Sequence, residues 1–287
     1  PLSAMPRWTG ILLALPSARP DGMVSRLPVY LHPIAGRPLA WHAAASLMQS
    51  PTPPERLVVI TEGDLTAELF QDLEVEVEVV VVPDAEERPR TVVHPLREDE
   101  ERGVVVHAGA VVPEGIVDQL LGELPGAWVA GAPDQGAVVR SDPDHLAELL
   151  RIPDPLEVPN GALSADDRLD DAEQVPLVTD RAAFAALVGR IRDRIVGALM
   201  AGGVTFLLPE TVLVDVDVRI GRDSIIYPGA VLEGATTIGE ETVIGPSCRI
   251  IDSWVGSGVE LRGWNYISHT SIRNRAILEP YVRRGFD

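Results

Sequence analysis

A strict six-residue period near the C-terminal end of the sequence most constrains the fold. Residues 214–249 divide into six consecutive blocks, which open with Val214, Ile220, Ile226, Leu232, Ile238 and Ile244. An α-helix repeats every 3.6 residues and a β-strand every two residues, so neither keeps a period of six. This period is typical of a parallel β-helix, in which each coil is a triangular prism with three short faces. Three blocks then make one coil, and the openers are predicted to stack as inward ladders.

The rest of the period supports the same fold. Gly221, Gly239 and Gly245 directly follow three of the openers. A small or β-branched residue fills the fifth place of each block, where we expect the backbone to bend sharply; these residues are Val218, Ser224, Ala230, Thr236, Thr242 and Cys248. The series continues to residue 283 with two shorter blocks, which gives about four coils. A β-sandwich with loosely periodic strands is the alternative, and the unbroken register of the first blocks favours the β-helix.

Short apolar runs that alternate with helical segments precede the repeats. The predicted strands are 10–15, 56–61, 75–82, 103–107, 127–132 and 137–140, and the predicted helices are 38–48, 64–73, 114–124 and 145–150. This alternation is typical of a mainly parallel, Rossmann-like α/β sheet that is covered on both faces. An amphipathic helix over 180–200 links the two parts. The predicted domains are therefore 1–179 (α/β), 180–203 (linker helix) and 204–287 (β-helix).

The charge and the cysteine content restrict the expected partners and compartment. The chain of 287 residues has a net charge of −19, and all of its cations are arginines. An acidic surface repels nucleic acid and anionic membranes, so neither is an expected partner. The single cysteine, Cys248, cannot form an internal disulfide, which is typical of a reducing cytoplasm. No signal peptide and no apolar run of about 18 residues is found, so the predicted location is cytoplasmic.

Three stretches resemble a family of bifunctional enzymes that joins a UDP-N-acetylglucosamine pyrophosphorylase to a glucosamine-1-phosphate N-acetyltransferase. LPVYLHPIAGRPL at 27–39 resembles the family's LPKVLHPLAGRPM, and residues 203–234 are similar to its linker and first coils. VTDRAAF at 178–184 resembles the start of its long helix. The resemblance implies a nucleotidyltransferase domain, followed by a left-handed parallel β-helix that forms a homotrimer or joins a larger assembly.

The nucleotide-binding loop departs from the family's pattern. The family's LAAGKGTRM corresponds to LPSARPDGM at 15–23, so Ala18 and Pro20 replace the two loop glycines. Proline lacks an N–H group and fixes φ, so this loop cannot form the same cradle of backbone amides. The candidate nucleotide-binding residues are Arg19, Ser25 and Arg26, with solvated surface arginines as the alternative.

The resemblance also implies two Mg²⁺ ligands that this sequence does not keep. Ala110 stands in the place of an aspartate, Thr179 in that of an asparagine, and Val29 in that of a phosphate-facing lysine. Alanine has no donor atom, and Mg²⁺ prefers carboxylate oxygens to a hydroxyl. His107 lies close in sequence, and a structural role is its simpler interpretation. We therefore predict no metal ligand, no catalytic residue and no cofactor, with Mg²⁺ needed only if the chain is an active enzyme.

Residues 154–161 echo the family's sugar-binding stretch, and the candidates there are Asp154, Glu157, Asn160 and Gly161. The family's acetyl-coenzyme A site lies on later coils than this sequence contains, so acetyl transfer is not expected. The sequence favours a degenerate, non-catalytic relative that acts as a structural or regulatory subunit or as a sensor of a sugar nucleotide. The alternative is an active but diverged, Mg²⁺-dependent sugar-1-phosphate nucleotidyltransferase of the UDP-N-acetylglucosamine pyrophosphorylase type.

Overall fold

The chain divides into two compact units in a computed structural model. The first unit is Pro1–His32 with Pro38–Phe184, and the second is Pro33–Arg37 with Ala185–Asp287. The structure describes residues 7–15, 23–82, 102–121, 175 and 177–285, together with the backbone of 128–130 and 138–141. The second unit is thus built from two separate segments of the chain, and the predicted boundaries after residues 179 and 203 stay a prediction.

The first unit is built on a mainly parallel sheet, as predicted. Its strands are β1 (Trp8–Ala14), β2 (Arg56–Thr61), β3 (Glu76–Val81), β4 (Arg102–His107), β5 (Trp128–Ala130) and β6 (Val138–Ser141). They lie in the order β3–β2–β1–β4–β6–β5. The first four in this order are parallel neighbours, whereas β6 is antiparallel to both β4 and β5.

The helices in the described parts of the chain have the following bounds. The α-helices are α1 (Leu39–Leu47), α2 (Ile116–Leu121) and α3 (Arg181–Ala201), and the short 3₁₀ helices are Val29–Leu31, Ala67–Leu73 and Pro209–Thr211. The predicted helix 64–73 is therefore a shorter 3₁₀ helix, and the predicted helix 145–150 lies outside the described residues. Among the described helices, none is long and apolar enough to cross a membrane.

The core of the first unit explains why β1 is apolar along its whole length. All seven residues of β1 are buried, as expected for a strand covered on both faces of a parallel sheet. Ala40, Ala43 and Ala44 of α1 have no exposed surface and belong to the same core. Their small side chains let the helix pack close to the strands.

The second unit is the predicted parallel β-helix. The strands of the first face are Leu213–Val214, Val231–Glu233, Arg249–Ile251, Tyr266–Ser268 and Arg283–Gly285. Those of the second face are Arg219–Ile220, Thr237–Ile238, Trp254–Val255 and Ser271–Ile272. Those of the third face are Thr205–Phe206, Ile225–Ile226, Val243–Ile244, Glu260–Leu261 and Ile277–Leu278. Each strand pairs in parallel with the strand one coil further on, so the predicted fold class is confirmed.

The inward ladders follow the predicted register. Ile238 pairs with Ile220 in the preceding coil and with Val255 in the following coil. Every opener from Val214 to Ile244 is buried except Ile220, which is partly buried. Each fully buried aliphatic side chain is worth about 1.5–3 kcal/mol. The shorter block at 250–254 keeps the register, because Ile250 pairs with Ile267.

The sharp bend of each corner does not lie at the fifth place, which corrects our expectation. Left-handed backbone with φ between 42° and 66° occurs one or two places earlier, at Asp223, Glu241, Ser247, Asp252, Trp264, His269, Arg275 and Tyr281. The fifth-place side chains are instead buried inside the corners. There the Ser224 hydroxyl donates a hydrogen bond to the carbonyl oxygen of Gly239 at 2.9 Å, in the next coil. Small residues are therefore selected at the fifth place by the narrow space inside each corner.

A hairpin from the N-terminal part of the chain completes the first coil. It consists of Pro33–Ile34 and Arg37–Pro38. The N–H of Val216 donates to the carbonyl oxygen of Ala35 at 3.1 Å, and Arg37 Nε and Nη2 donate to the two carboxylate oxygens of Asp217 at 3.0 and 3.1 Å. Gly36 has a φ of +81°, and a β-carbon there would lie 2.9 Å from the Asp215 carboxyl carbon. Only glycine fits this approach without strain.

The ion pair between Arg37 and Asp217 is expected to contribute measurably to stability. Its geometry is bidentate and both side chains are partly shielded, at 27% and 39% exposure. A double-mutant cycle with Arg37→Ala and Asp217→Ala, followed by urea unfolding, should give a coupling energy of about 1 kcal/mol. The matched control is the more exposed pair of Arg222 and Glu240, whose coupling should be close to zero. Equal coupling in the two pairs would contradict this assignment.

Candidate functional site

The carboxyl ends of β1 and β4 form the edge where a ligand site is expected. The chain runs from β1 outward to β2 and β3, and then returns to the other side of β1 as β4. In open α/β sheets, ligands bind beyond the carboxyl ends of the strands at such a reversal of strand order. The segments that follow β1 and β4 are therefore the candidate region.

The turn after β4 is closed by hydrogen bonds of its own backbone and by His107. The Gly109 N–H donates to His107 Nδ1 at 2.8 Å, and the Ala110 N–H donates to the carbonyl oxygen of His107 at 2.9 Å. The Val178 N–H donates to the carbonyl oxygen of Gly109 at 2.9 Å, and Ala110 forms an antiparallel bridge with Leu177. Because Nδ1 accepts a hydrogen bond, the neutral imidazole of His107 carries its proton on Nε2. His107 thus stabilises the turn, which is the structural role expected for it.

The positions that the resemblance assigns to Mg²⁺ do not fit a metal ion. Ala110 has no exposed surface and no donor atom, while Thr179 is exposed and offers one hydroxyl. Mg²⁺ takes oxygen ligands in near-octahedral geometry and usually needs at least one carboxylate from the protein. Within the described parts of the chain, no three His, Cys, Asp or Glu side chains come together in a group that could hold a metal ion.

The acidic side chain next to Thr179 is used by helix α3. Asp180 Oδ1 accepts a hydrogen bond from the Ala183 N–H at 2.8 Å, and the carbonyl oxygen of Asp180 accepts one from the Phe184 N–H at 3.0 Å. An aspartate in this place satisfies an N–H group that has no partner inside the helix. This capping role was missed in the sequence, although aspartate before an amphipathic helix is its usual signal.

The predicted nucleotide-binding residues are only partly described. Ser25 and Arg26 are exposed in the segment that follows β1. The Ser25 hydroxyl accepts a hydrogen bond from the Leu27 N–H at 3.1 Å, so it stabilises its own loop. Arg19 lies outside the described residues, as do the sugar-binding candidates Asp154, Glu157, Asn160 and Gly161. Ser25 and Arg26 are therefore close only because they are adjacent in the chain.

Val29 does not take the place of a phosphate-facing cation. It is partly buried and packs against the core of the first unit. Its Cγ1 atom also lies 3.5 Å from the position that a β-carbon on Gly109 would take, so Val29 covers the turn after β4. The Val29 side chain therefore packs the segment after β1 against the turn after β4.

A buried tyrosine near the same edge was not found from the sequence. Tyr30 has 1% exposure, and its hydroxyl donates to Asp64 Oδ2 at 3.1 Å. Burial, followed by the negative charges of Asp64 and Glu62, raises the pKa of Tyr30 well above its ordinary value. The phenol therefore stays protonated and remains a hydrogen-bond donor. It ties the segment after β1 to the segment after β2.

One family model matches part of the repeats. Residues 217–252 match the family model described as bacterial transferase hexapeptide (six repeats). The match covers the coils in which the six-residue period was first recognised. It agrees with the three parallel faces of the second unit.

Curated relatives extend the similarity beyond the repeats. The chain is 38% identical over 124 residues to the bifunctional protein GlmU of Geobacillus sp. (strain WCH70), a match that covers 43% of this chain and 27% of the relative. It is 36% identical over 150 residues to the bifunctional protein GlmU of Mycobacterium marinum (strain ATCC BAA-535 / M), which covers 52% of this chain and 30% of that protein. The chain thus matches less than a third of the length of these relatives. Over that part, its predicted resemblance to the bifunctional GlmU proteins is confirmed.

Proposed function

We propose that this chain is a non-catalytic relative of the bifunctional GlmU proteins, which acts as a structural or regulatory subunit or senses a sugar nucleotide. The observation that carries the proposal is Ala110. It stands where the resemblance places an acidic metal ligand, and its side chain is fully buried in a turn that is bridged to Leu177. A methyl group in a closed turn cannot coordinate a cation. Sugar-nucleotide transfer depends on a metal ion that offsets phosphate charge.

The neighbouring positions support the same proposal. Val29, where the resemblance places a lysine, is partly buried and packs against the core, and the Ser25 hydroxyl is occupied by its own loop. Asp180, the acidic residue adjacent to Thr179, caps helix α3. Each change alone can be compensated. Together, Val29, Ala110 and Thr179 replace the cation and the two metal ligands that the resemblance places in one reaction centre.

The alternative function is an active, diverged sugar-1-phosphate nucleotidyltransferase. The similarity to proteins named bifunctional GlmU favours it. Arg26, exposed after β1, offers a cation that would be available to a phosphate group. A shared fold does not by itself carry an activity, however, because chemistry resides in the side chains of the site.

We also propose that the β-helix assembles as a homotrimer or within a larger complex. Several large apolar side chains point outward from its faces and corners: Leu213, Trp254, Trp264, Ile277 and Tyr281 are all at least 46% exposed. Exposed apolar surface of this kind marks interaction sites in soluble proteins. A monomeric mass by light scattering at micromolar concentration would contradict this proposal.

Isothermal titration with UTP and with UDP-N-acetylglucosamine, each with and without Mg²⁺, tests the proposed function. We expect no Mg²⁺-dependent binding of UTP, because Ala110 and Thr179 cannot hold the ion. Binding of the sugar nucleotide without metal would identify a sensor, and its absence would leave the subunit role. Mg²⁺-dependent UTP binding at micromolar concentration that is lost in Arg26→Ala would establish the alternative function instead.

A further inference from the structure

A row of charged residues runs along the corner between the second and third faces of the β-helix. We name it the corner ladder, and its members, one from each of four successive coils, are Asp223, Glu241, Gly258 and Arg275. All four have left-handed backbone with φ between 55° and 66°. The N–H of Glu241 donates to the carbonyl oxygen of Arg222 at 3.1 Å, and the N–H of Arg275 donates to that of Ser257 at 2.9 Å. The same turn is thus stacked coil upon coil, so the four residues lie in one row.

The charge changes sign along the corner ladder. Asp223 and Glu241 are acidic and exposed, Gly258 is neutral, and Arg275 is basic and exposed. Arg273, which lies two residues before Arg275, adds a second exposed cation at the same corner. Glu241 and Arg275 are two coils apart, which corresponds to about 10 Å along the axis of the β-helix. One end of the corner ladder is therefore negative and the other end is positive.

These charged side chains are not paired within one copy of the protein. In the parts of the chain that the structure describes, the two carboxylates and the two guanidinium groups of this corner form no hydrogen bond or ion pair. Glu240, which precedes Glu241, differs because it pairs with Arg222 at 3.1 Å. It therefore stays outside the corner ladder, whose own charges are open to a second molecule.

The middle of the corner ladder is small. Ser257 and Gly258 lie in the coil between the negative and the positive ends, where Ser257 is exposed and Gly258 has no side chain. The Cγ atom of Arg275 lies 3.3 Å from the position that a β-carbon on Gly258 would take, so a larger residue there would displace the arginine. A corner that is small at its centre allows another surface to approach closely, with the charges on either side.

We propose that the corner ladder binds the same ladder of a second copy of this chain, with the two β-helix axes antiparallel. A twofold axis beside Ser257 then places Glu241 of each copy opposite Arg275 of the other. Guanidinium groups pair with carboxylates through parallel hydrogen bonds, and a parallel arrangement would instead bring like charges together. The same surface is used on both copies, so the contact closes on two copies. It rests neither on nucleotide binding nor on the apolar side chains of the proposed trimer.

Disulfide trapping of the full chain with Ser257→Cys tests this contact, because this position lies beside the proposed twofold axis. Exposed ion pairs are individually weak, so a covalent bond is needed to accumulate the paired copies. The native Cys248 is buried and does not compete. In a glutathione redox buffer with about 50 mM salt, the variant should form a covalent dimer. Raising the salt to about 500 mM should slow dimer formation about tenfold, since it screens the charges.

Two charge changes in the same cysteine variant test the pairing itself. Adding Arg275→Glu should slow dimer formation about tenfold, because carboxylates of the two copies then face each other. Adding Glu241→Arg to that variant should return the rate to within about twofold of the original, because the reversed ladder again complements itself. Circular dichroism should show the same folded state in every variant.

Asp223→Cys is the matched control on the same ladder. Asp223 lies two coils from the proposed axis, so the two cysteines of a pair would be about 19 Å apart, and a disulfide needs less than about 7 Å between Cα atoms. The mass by light scattering at high salt should be the same in all variants, since the proposed trimer rests on apolar contacts. Equal trapping of Ser257→Cys and Asp223→Cys would overturn the proposal. A trapping rate of Ser257→Cys that is unchanged by Arg275→Glu would overturn it as well.

Discussion

Gly239→Ala is expected to destabilise the second unit by about 3 kcal/mol or more. This is at the upper end of the destabilisation that an added methyl group causes in a well-packed core. A β-carbon on Gly239 would lie 2.5 Å from the backbone nitrogen of Ser257 and 2.8 Å from the carbonyl carbon of Gly256. Both atoms belong to the backbone of the next coil, so no side chain can move aside. The coils would have to separate locally, which would weaken the parallel pairing of Thr237–Ile238 with Trp254–Val255.

The same substitution in helix α3 should have the opposite sign and serves as the control. A β-carbon on Gly197 would meet no atom within 4 Å. Alanine in the interior of a helix is more stable than glycine by about 0.5–1 kcal/mol. Urea unfolding of the two variants should therefore give free-energy changes of opposite sign. A Gly239→Ala variant as stable as the wild type would show that the coils are not packed at this distance.

Ile238→Asp is expected to unfold the coils at neutral pH. Ile238 is 2% exposed and lies in the inward ladder between Ile220 and Val255. The change removes a buried aliphatic side chain and leaves a carboxylate without a partner in apolar surroundings. Together these effects should cost more than about 4 kcal/mol.

Thermal unfolding followed by circular dichroism measures this effect. The control is Thr237→Asp, one residue earlier, at a partly exposed position on the outer side of the same strand. Because neighbouring residues of a strand point to opposite faces, the control should change the melting temperature little. If the two variants melt alike, the inward register assigned to Ile238 is wrong.

The register of the β-helix could be predicted from sequence because every coil repeats the same requirement. Ile220, Ile238 and Val255 all need to be apolar, and their spacing persists even where one block is shorter. The location of the corners could not be predicted in the same way. Asp223, Glu241 and Trp264 all adopt left-handed backbone, yet they share no residue type that would mark the corner in the sequence. Backbone hydrogen bonds to the neighbouring coil, rather than a preferred residue type, fix this conformation.

Local sequence patterns could not predict the side-chain contacts between segments that are far apart in the chain. Arg37 and Asp217 are 180 residues apart, and neither residue is unusual in its own segment. Tyr30, in the 3₁₀ helix Val29–Leu31, and Asp64, after β2, are likewise 34 residues apart. The departures from the family's pattern at the candidate site could be predicted from sequence, because the flanking motifs resemble that family. The burial of Ala110 needed the three-dimensional structure, whereas the capping by Asp180 had a sequence signal in the aspartate that precedes the amphipathic helix.

The most direct test of the proposed loss of catalysis is a pyrophosphate-release assay with UTP, N-acetylglucosamine-1-phosphate and Mg²⁺. With Ala110 buried and Val29 packed against the core, we predict release no faster than in the absence of the protein. The contrary result would be steady turnover that follows the protein through successive chromatographic steps and stops when EDTA removes the metal.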